Sequence, residues 1–187
     1  RHPRVKILNP GPGVGGHCIS VDPWFLVESA PDLTPLIHTA RKVNDSQPEF
    51  VVKLFKEVMG SIKGKRVAVL GLAYKPDVDD LRESPAVEIA RHLSEEGVLV
   101  TAFEPFKTDF QIENVRMVKT LEEGLESTDA VLLLVAHTQF KNLDPVVVSG
   151  HTTARIVIDT VNVWNLETWR AAGFNIVRLG DRKNRVV

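Results

Sequence analysis

The one cysteine of this chain, Cys18, follows directly on Gly11-Pro-Gly-Val-Gly-Gly-His17. Glycine leaves backbone amides uncovered and lets a substrate approach the chain closely. A thiolate delivered at the end of such a loop is a candidate nucleophile for a carbonyl carbon. The competing reading is a buried structural thiol, since cysteine is among the most buried residue types, but a packing cysteine needs no glycine loop. His17 is a candidate base, yet adjacent loop residues generally point apart, so a His17–Cys18 ion pair is not expected. Asp22 stands directly before Pro23, the pattern of a helix N-cap followed by proline at the first helical position.

Gly11, Gly13 and Gly16 also match the spacing of a dinucleotide fingerprint. That fingerprint works only between a strand and the helix it opens, where the helix N-terminus faces the pyrophosphate. Here Pro10 and Pro12 stiffen the loop, and the next helix start lies six residues beyond Gly16. The glycines are therefore read as serving Cys18. A second candidate is Lys75, in Tyr74-Lys75-Pro76 just past an apolar run. A lysine at the carboxyl end of a sheet is placed where such folds bind ligands; a solvated loop lysine is the alternative from position alone. Asp77, Asp79 and Asp80 lack further ligands at metal spacing and are read as turn formers. With one cysteine and scattered histidines, no metal site is expected.

These residues need elements to hold them. Pro23 to Ser29 reads as a short helix, and Pro31 to Pro35 breaks the chain. Leu36, Ile37, Ala40 and Val43 share one face of a second helix, and Phe50, Val51, Leu54, Phe55 and Val58 form a broad stripe on a third that ends at Gly60. Such a stripe means core or subunit interface. From Gly64 onward strand and helix signals alternate. Arg66–Leu72, Val98–Phe103, Val115–Val118, Ala130–Val135, Ile156–Asp159 and Phe174–Val177 read as strands. Ser84-Pro85 opens a helix that Gly97 ends, and helices are also expected over Thr120–Glu126 and Leu166–Ala171. Repeated βα units imply an α/β fold: a helical linker region followed by a Rossmann-like, doubly wound parallel sheet with right-handed crossovers.

Composition narrows the function classes. A formal net charge of −1 and the lack of a long basic run speak against a nucleic-acid or anionic membrane surface. No apolar run is long enough to span a bilayer. A single cysteine permits no internal disulfide, and a reducing cytoplasm is the expected compartment.

Gly-Gly-His-Cys18 with Asp22, followed by Gly71-Leu-Ala-Tyr74-Lys75-Pro-Asp-Val-Asp-Asp-Leu-Arg82-Glu-Ser-Pro85, resembles the UDP-glucose/GDP-mannose dehydrogenase family. Within it, His2-Pro-Arg4, the Asn9-to-Cys18 run and Val-Asp22-Pro-Trp-Phe look most like members acting on UDP-N-acetyl-D-mannosamine. The resemblance implies a four-electron, NAD-dependent oxidation of a sugar C6 hydroxyl to a carboxylate, with Cys18 carrying a thiohemiacetal and then a thioester, and two NAD consumed per turnover. It implies that Asp22 assists thioester hydrolysis. It places His2, Arg4, Gly15, Tyr74 and Lys75 at the UDP-sugar, with His2 and Arg4 reaching from a neighbouring subunit, and Arg82 at the NAD. The lysine and asparagine with which the family stabilises oxyanions would lie upstream of Arg1, and Asn44 is not assigned to that role. Where the family commonly carries arginine after the fifth strand this chain has Val161-Asn162, and neither offers the planar fork of a guanidinium.

The start at Arg1, without Met and close to a functional-looking loop, reads as that of a C-terminal fragment. On that view residues 1–62 are the end of a central domain, holding the cysteine loop and dimerisation helices. Residues 63–187 are the UDP-sugar-binding domain. The main NAD-binding domain is absent, the fragment alone is inactive, and the assembly is a homodimer. The alternative is a non-catalytic nucleotide-sugar-binding or dimerisation module with a structural Cys18.

Overall fold

The computed structural model describes residues 9–181. Behind the glycine loop come α1 (Asp22–Ser29), a 3-10 turn (Pro31–Leu33), α2 (Pro35–Asp45) and α3 (Gln47–Met59). The sheet domain then runs β1 (Arg66–Leu70), α4 (Pro85–Glu95), β2 (Leu99–Phe103), β3 (Val115–Val118), α5 (Leu121–Leu125), β4 (Ala130–Leu133), α6 (Thr138–Lys141), α7 (Pro145–His151), β5 (Ile156–Asp159), α8 (Leu166–Ala171) and β6 (Asn175–Arg178). Every strand pair is parallel, in the order β3-β2-β1-β4-β5-β6. This is the doubly wound arrangement, with its reversal of strand order between β1 and β4.

Alternation along the strands builds two cores. Val67 and Val69 face one side with α3 and α4, through Val51, Phe55, Ile89 and Leu93. Ala68 and Leu70 face the other, with Trp164, Trp169 and Phe140. All four residues of β4 are buried, as expected of a central parallel strand covered on both faces.

Several sequence expectations are corrected at the ends of elements. β1 stops at Leu70, two residues early, because Gly71 takes φ 88° and turns the chain where a Cβ would lie 2.6 Å from Val135 Cβ. β4 stops at Leu133 and β2 begins at Leu99. Asp22 is not an N-cap: α1 begins at Asp22 itself, and Val21 before it makes no side-chain cap. Ser84 does cap α4, its Oγ accepting from Ala86 N. The stripe on α3 is core: Val51 and Phe55 are buried and Leu54 and Val58 pack on the same cluster, while Phe50 is half exposed. Helix α2 is inverted, with Leu36 80% and Val43 58% exposed and Arg41 buried. The short helices α6 and α7 have no counterpart in the sequence reading, because four and seven residues are too few to establish a 3.6-residue period.

Candidate active site

The glycine loop is folded against the segment that follows β1. Gly16 N donates to Arg82 O at 3.2 Å, and a Cβ on Gly16 would lie 2.8 Å from the Tyr74 ring. A Cβ on Gly15 would lie 2.1 Å from Glu83 O. Two motifs separated by more than fifty residues in sequence thus form one surface. Cys18 stands exposed on it, and its carbonyl accepts from Val21 N at 3.1 Å and Asp22 N at 2.8 Å, a turn that leads directly into α1. Asp22 is exposed at the start of that helix.

Arg82 lies beside this turn. Asp80 receives its Nη2 at 2.6 Å and its Nε at 2.9 Å. These hydrogen bonds hold Asp80 down to about 2. The hydrogen bond and charge of Asp80 raise the Arg82 guanidinium further, with smaller electrostatic contributions from Tyr74 and Cys18. Arg82 is thus held on Asp80 and stands against His17, the residue before Cys18. His17 turns to Arg82 instead of Cys18: its Nδ1 lies 3.3 Å from Nη2. A guanidinium has only donors, so Nδ1 is the acceptor there, and Asp80, at 3.9 Å, becomes its partner only on protonation.

Lys75 is exposed, with Nζ 5.5 Å from the centre of the Tyr74 ring. The loop carrying both is held by a buried hub that sequence reasoning missed. Glu104, fully buried at the end of β2, accepts from Leu72 N at 2.7 Å, Ala73 N at 3.0 Å and Phe106 N at 3.0 Å. His137, also fully buried, lies 3.1 Å from Glu104 through Nε2 and accepts from Asp77 N through Nδ1 at 2.9 Å. His137 is thus the neutral tautomer with its proton on Nε2, donated to Glu104. Burial alone would raise the Glu104 carboxyl, but hydrogen bonds from His137, Leu72 and Phe106 outweigh it and the net shift is downward. Two residues of the acidic cluster are spent on structure: Asp80 on Arg82, and Asp77, which accepts from Thr138 N and Oγ1 at 2.8 and 2.7 Å. No group of three or more metal-ligating side chains occurs among the described residues.

On the β5 side, buried Asp159 accepts from Val161, Val163 and Trp164 amides. The Val161-Asn162 turn is thereby set against Gly11, whose Cβ position is 3.8 Å from Val161 Cγ1. His2 and Arg4 lie outside the described residues.

These motifs and this fold have counterparts among known proteins. The model for the UDP binding domain of the UDP-glucose/GDP-mannose dehydrogenase family matches residues 68–166, and the model for its central domain matches residues 1–46. The chain belongs to the UDP-glucose/GDP-mannose dehydrogenase family. It is 43% identical over 187 residues to a UDP-N-acetyl-D-mannosamine dehydrogenase of Methanocaldococcus jannaschii, an alignment covering 98% of this chain and 42% of that one. It is 44% identical over 168 residues to an NDP-N-acetyl-D-galactosaminuronic acid dehydrogenase of Ralstonia solanacearum, covering 88% and 38%. Among solved structures, a UDP-D-ManNAc dehydrogenase of Pyrococcus horikoshii superposes with TM-score 0.81 at 32% identity, covering 99% of this chain and 42% of that one. This member of the dehydrogenase family thus spans about two fifths of the length of these relatives.

The central-domain match ends near the junction of α2 and α3, and the UDP-binding match begins inside β1. The surface that carries Cys18, Tyr74 and Arg82 is therefore the seam between the two. The glycine loop is filled by Glu83 and Tyr74, and the amides that follow β1 are taken by Glu104.

Proposed function

We propose that this chain supplies the nucleophile and the nucleotide-sugar domain of an NAD-dependent UDP-sugar 6-dehydrogenase, acting on UDP-N-acetyl-D-mannosamine. The observation that carries this reading is Cys18: an exposed thiol on a glycine loop, packed against the post-β1 loop of the UDP-binding domain, with the Arg82 guanidinium against the preceding residue, His17. The names of the relatives point to the sugar, although the Val161-Asn162 turn offers no guanidinium to it.

In this reading Lys75 and Tyr74 hold the UDP-sugar at the carboxyl end of the sheet, with Gly15 lining the approach. His2 and Arg4 complete the site from a second subunit. Cys18 attacks the C6 aldehyde, forming a carbon–sulfur bond as the carbonyl oxygen takes up a proton. Oxidation of that thiohemiacetal gives a thioester, and water, positioned with the help of Asp22, displaces the thiol and leaves the carboxylate. NAD, which this family generally uses, supplies the hydride acceptor for each of the two oxidations. Its principal site lies in parts of the enzyme beyond this chain, Arg82 reaching toward it, so this chain alone binds NAD poorly and is inactive.

The exposed apolar residues of α1, the 3-10 turn and α2, including Phe25, Leu33 and Leu36, make up the surface on which we propose that a homodimer forms. The unpaired thiol suits a cytoplasmic location. The test is Cys18→Ser in the full-length dehydrogenase: loss of carboxylate production is expected. Unchanged turnover would leave a nucleotide-sugar-binding or dimerisation module in which the cysteine is structural.

A further inference from the structure

Helix α2 turns its polar face to the cysteine loop. Asn44 Oδ1 accepts from Val14 N at 2.7 Å, and Asn44 Nδ2 donates to Val14 O at 3.1 Å. One amide side chain thereby engages both polar groups of a single peptide residue, as a neighbouring strand would. One turn earlier on the same face, the buried Arg41 donates from Nη1 to Ile19 O at 3.3 Å, while its Nη2 is paired with Asp45. Val14 and Ile19 bracket the segment Gly15–Cys18. The helix therefore grips the loop on both sides of the thiol, and Gly16 is tied between them to Arg82 O. Neither Asn44 nor Arg41 has an ordinary reason to face inward on a helix whose apolar residues lie outside, and the loop contacts supply one.

We infer that Asn44, seconded by Arg41, is a positioning residue that fixes where the Cys18 thiol stands relative to the sugar carbon it must capture. This rests on Cys18 being the nucleophile. A loop of glycines is free to wander unless it is pinned, and a displacement of about 1 Å at a reacting atom is enough to cost about a hundredfold in rate. The grip should matter at the capture step. The first oxidation, alcohol to aldehyde, does not use the thiol; the second does.

The test uses Asn44→Asp in the full-length dehydrogenase. The substitution is nearly isosteric, keeps an acceptor for Val14 N–H and sets an oxygen against Val14 O where a donor stood. Asn44→Ala serves as the second variant. The expected result is a ratio of NADH formed to carboxylate formed that rises above two, the excess appearing as free UDP-sugar aldehyde trapped by hydroxylamine, with the substrate KM within about threefold of wild type. In the enzyme without NAD, the rate at which iodoacetamide alkylates Cys18 should depart from wild type by threefold or more. A variant that is merely less well folded loses NADH and carboxylate in proportion. A ratio that stays at two, or a wild-type alkylation rate, overturns the inference. Cys18→Ser that still makes carboxylate at a ratio of two is a different result, which removes the nucleophile itself.

Discussion

Replacing Gly15 by alanine should displace the cysteine loop without touching the thiol. The Cβ would be built 2.1 Å from Glu83 O, 2.8 Å from Pro85 Cδ and 3.0 Å from the Glu83 carbonyl carbon. The first of these falls short of an ordinary contact by more than about 1 Å, and two of the three atoms are backbone. Pro85 is held in turn by the first turn of α4, so the loop has to give. Overpacking of this kind costs about 1–3 kcal/mol, which for a domain of this size is roughly 2–12 °C in Tm. Movement of the nucleophile by about 1 Å adds about a hundredfold loss in kcat. Gly11→Ala is the internal control, because its nearest neighbours would be Val161 Cγ1 at 3.8 Å and Thr160 O at 3.9 Å. Removing a glycine there should leave stability unchanged or raise it by up to about 1 kcal/mol. The assays are thermal denaturation followed by far-UV circular dichroism, and steady-state NADH formation by the full-length enzyme. If Gly15→Ala melts and turns over like Gly11→Ala, the loop is not seated on Glu83 and the account of the seam is wrong.

Glu104→Gln should lower stability at pH 7 by about 3 kcal/mol, since a buried carboxylate that receives four donors is replaced by a group that must turn an N–H₂ toward one of them. The folded carboxyl lies below its usual value, so its contribution is present above the unfolded carboxylate range and is lost as pH falls through the folded value. The gap between variant and wild type in urea unfolding should therefore close in acid, and a gap constant from pH 7 to pH 3 would remove the charge from the argument. If the proposed homodimer forms on this face, Leu36→Glu should shift the mass in light scattering to that of a monomer with little change in Tm, because Leu36 is 80% exposed within one chain. Leu54→Glu, on the core side of α3, should instead lower Tm. A Leu36→Glu protein that keeps the mass of wild type would place the subunit contact elsewhere.

Much of this protein is set locally and is legible along the chain. Apolar runs mark the central parallel strands, because a strand covered on both faces must be apolar at nearly every position; β5 falls where the sequence reading puts it, and so does the edge strand β3 despite its exposed Arg116. The Ser84-Pro85 cap follows from one side chain and the amide two residues on. The cysteine behind its glycines and the Tyr74-Lys75 motif are equally a matter of residue types and spacing. What the sequence could not decide is how these pieces meet. Asp22 looks like an N-cap, yet the turn closed on the Cys18 carbonyl carries the helix start forward to it. The apolar residues of α2 suggest an inward face, but the helix answers to the loop it must hold, and Asn44 and Arg41 take the inner side. Glu104 and His137 carry no sequence signal for their roles, since a single acidic residue at a strand end and a lone histidine have many uses. Only the parallel register of β2 and β4 on either side of β1 brings the two together beneath the loop of Tyr74. Hydrogen bonds between residues thirty to sixty positions apart depend on the packed sheet, and no local pattern specifies them.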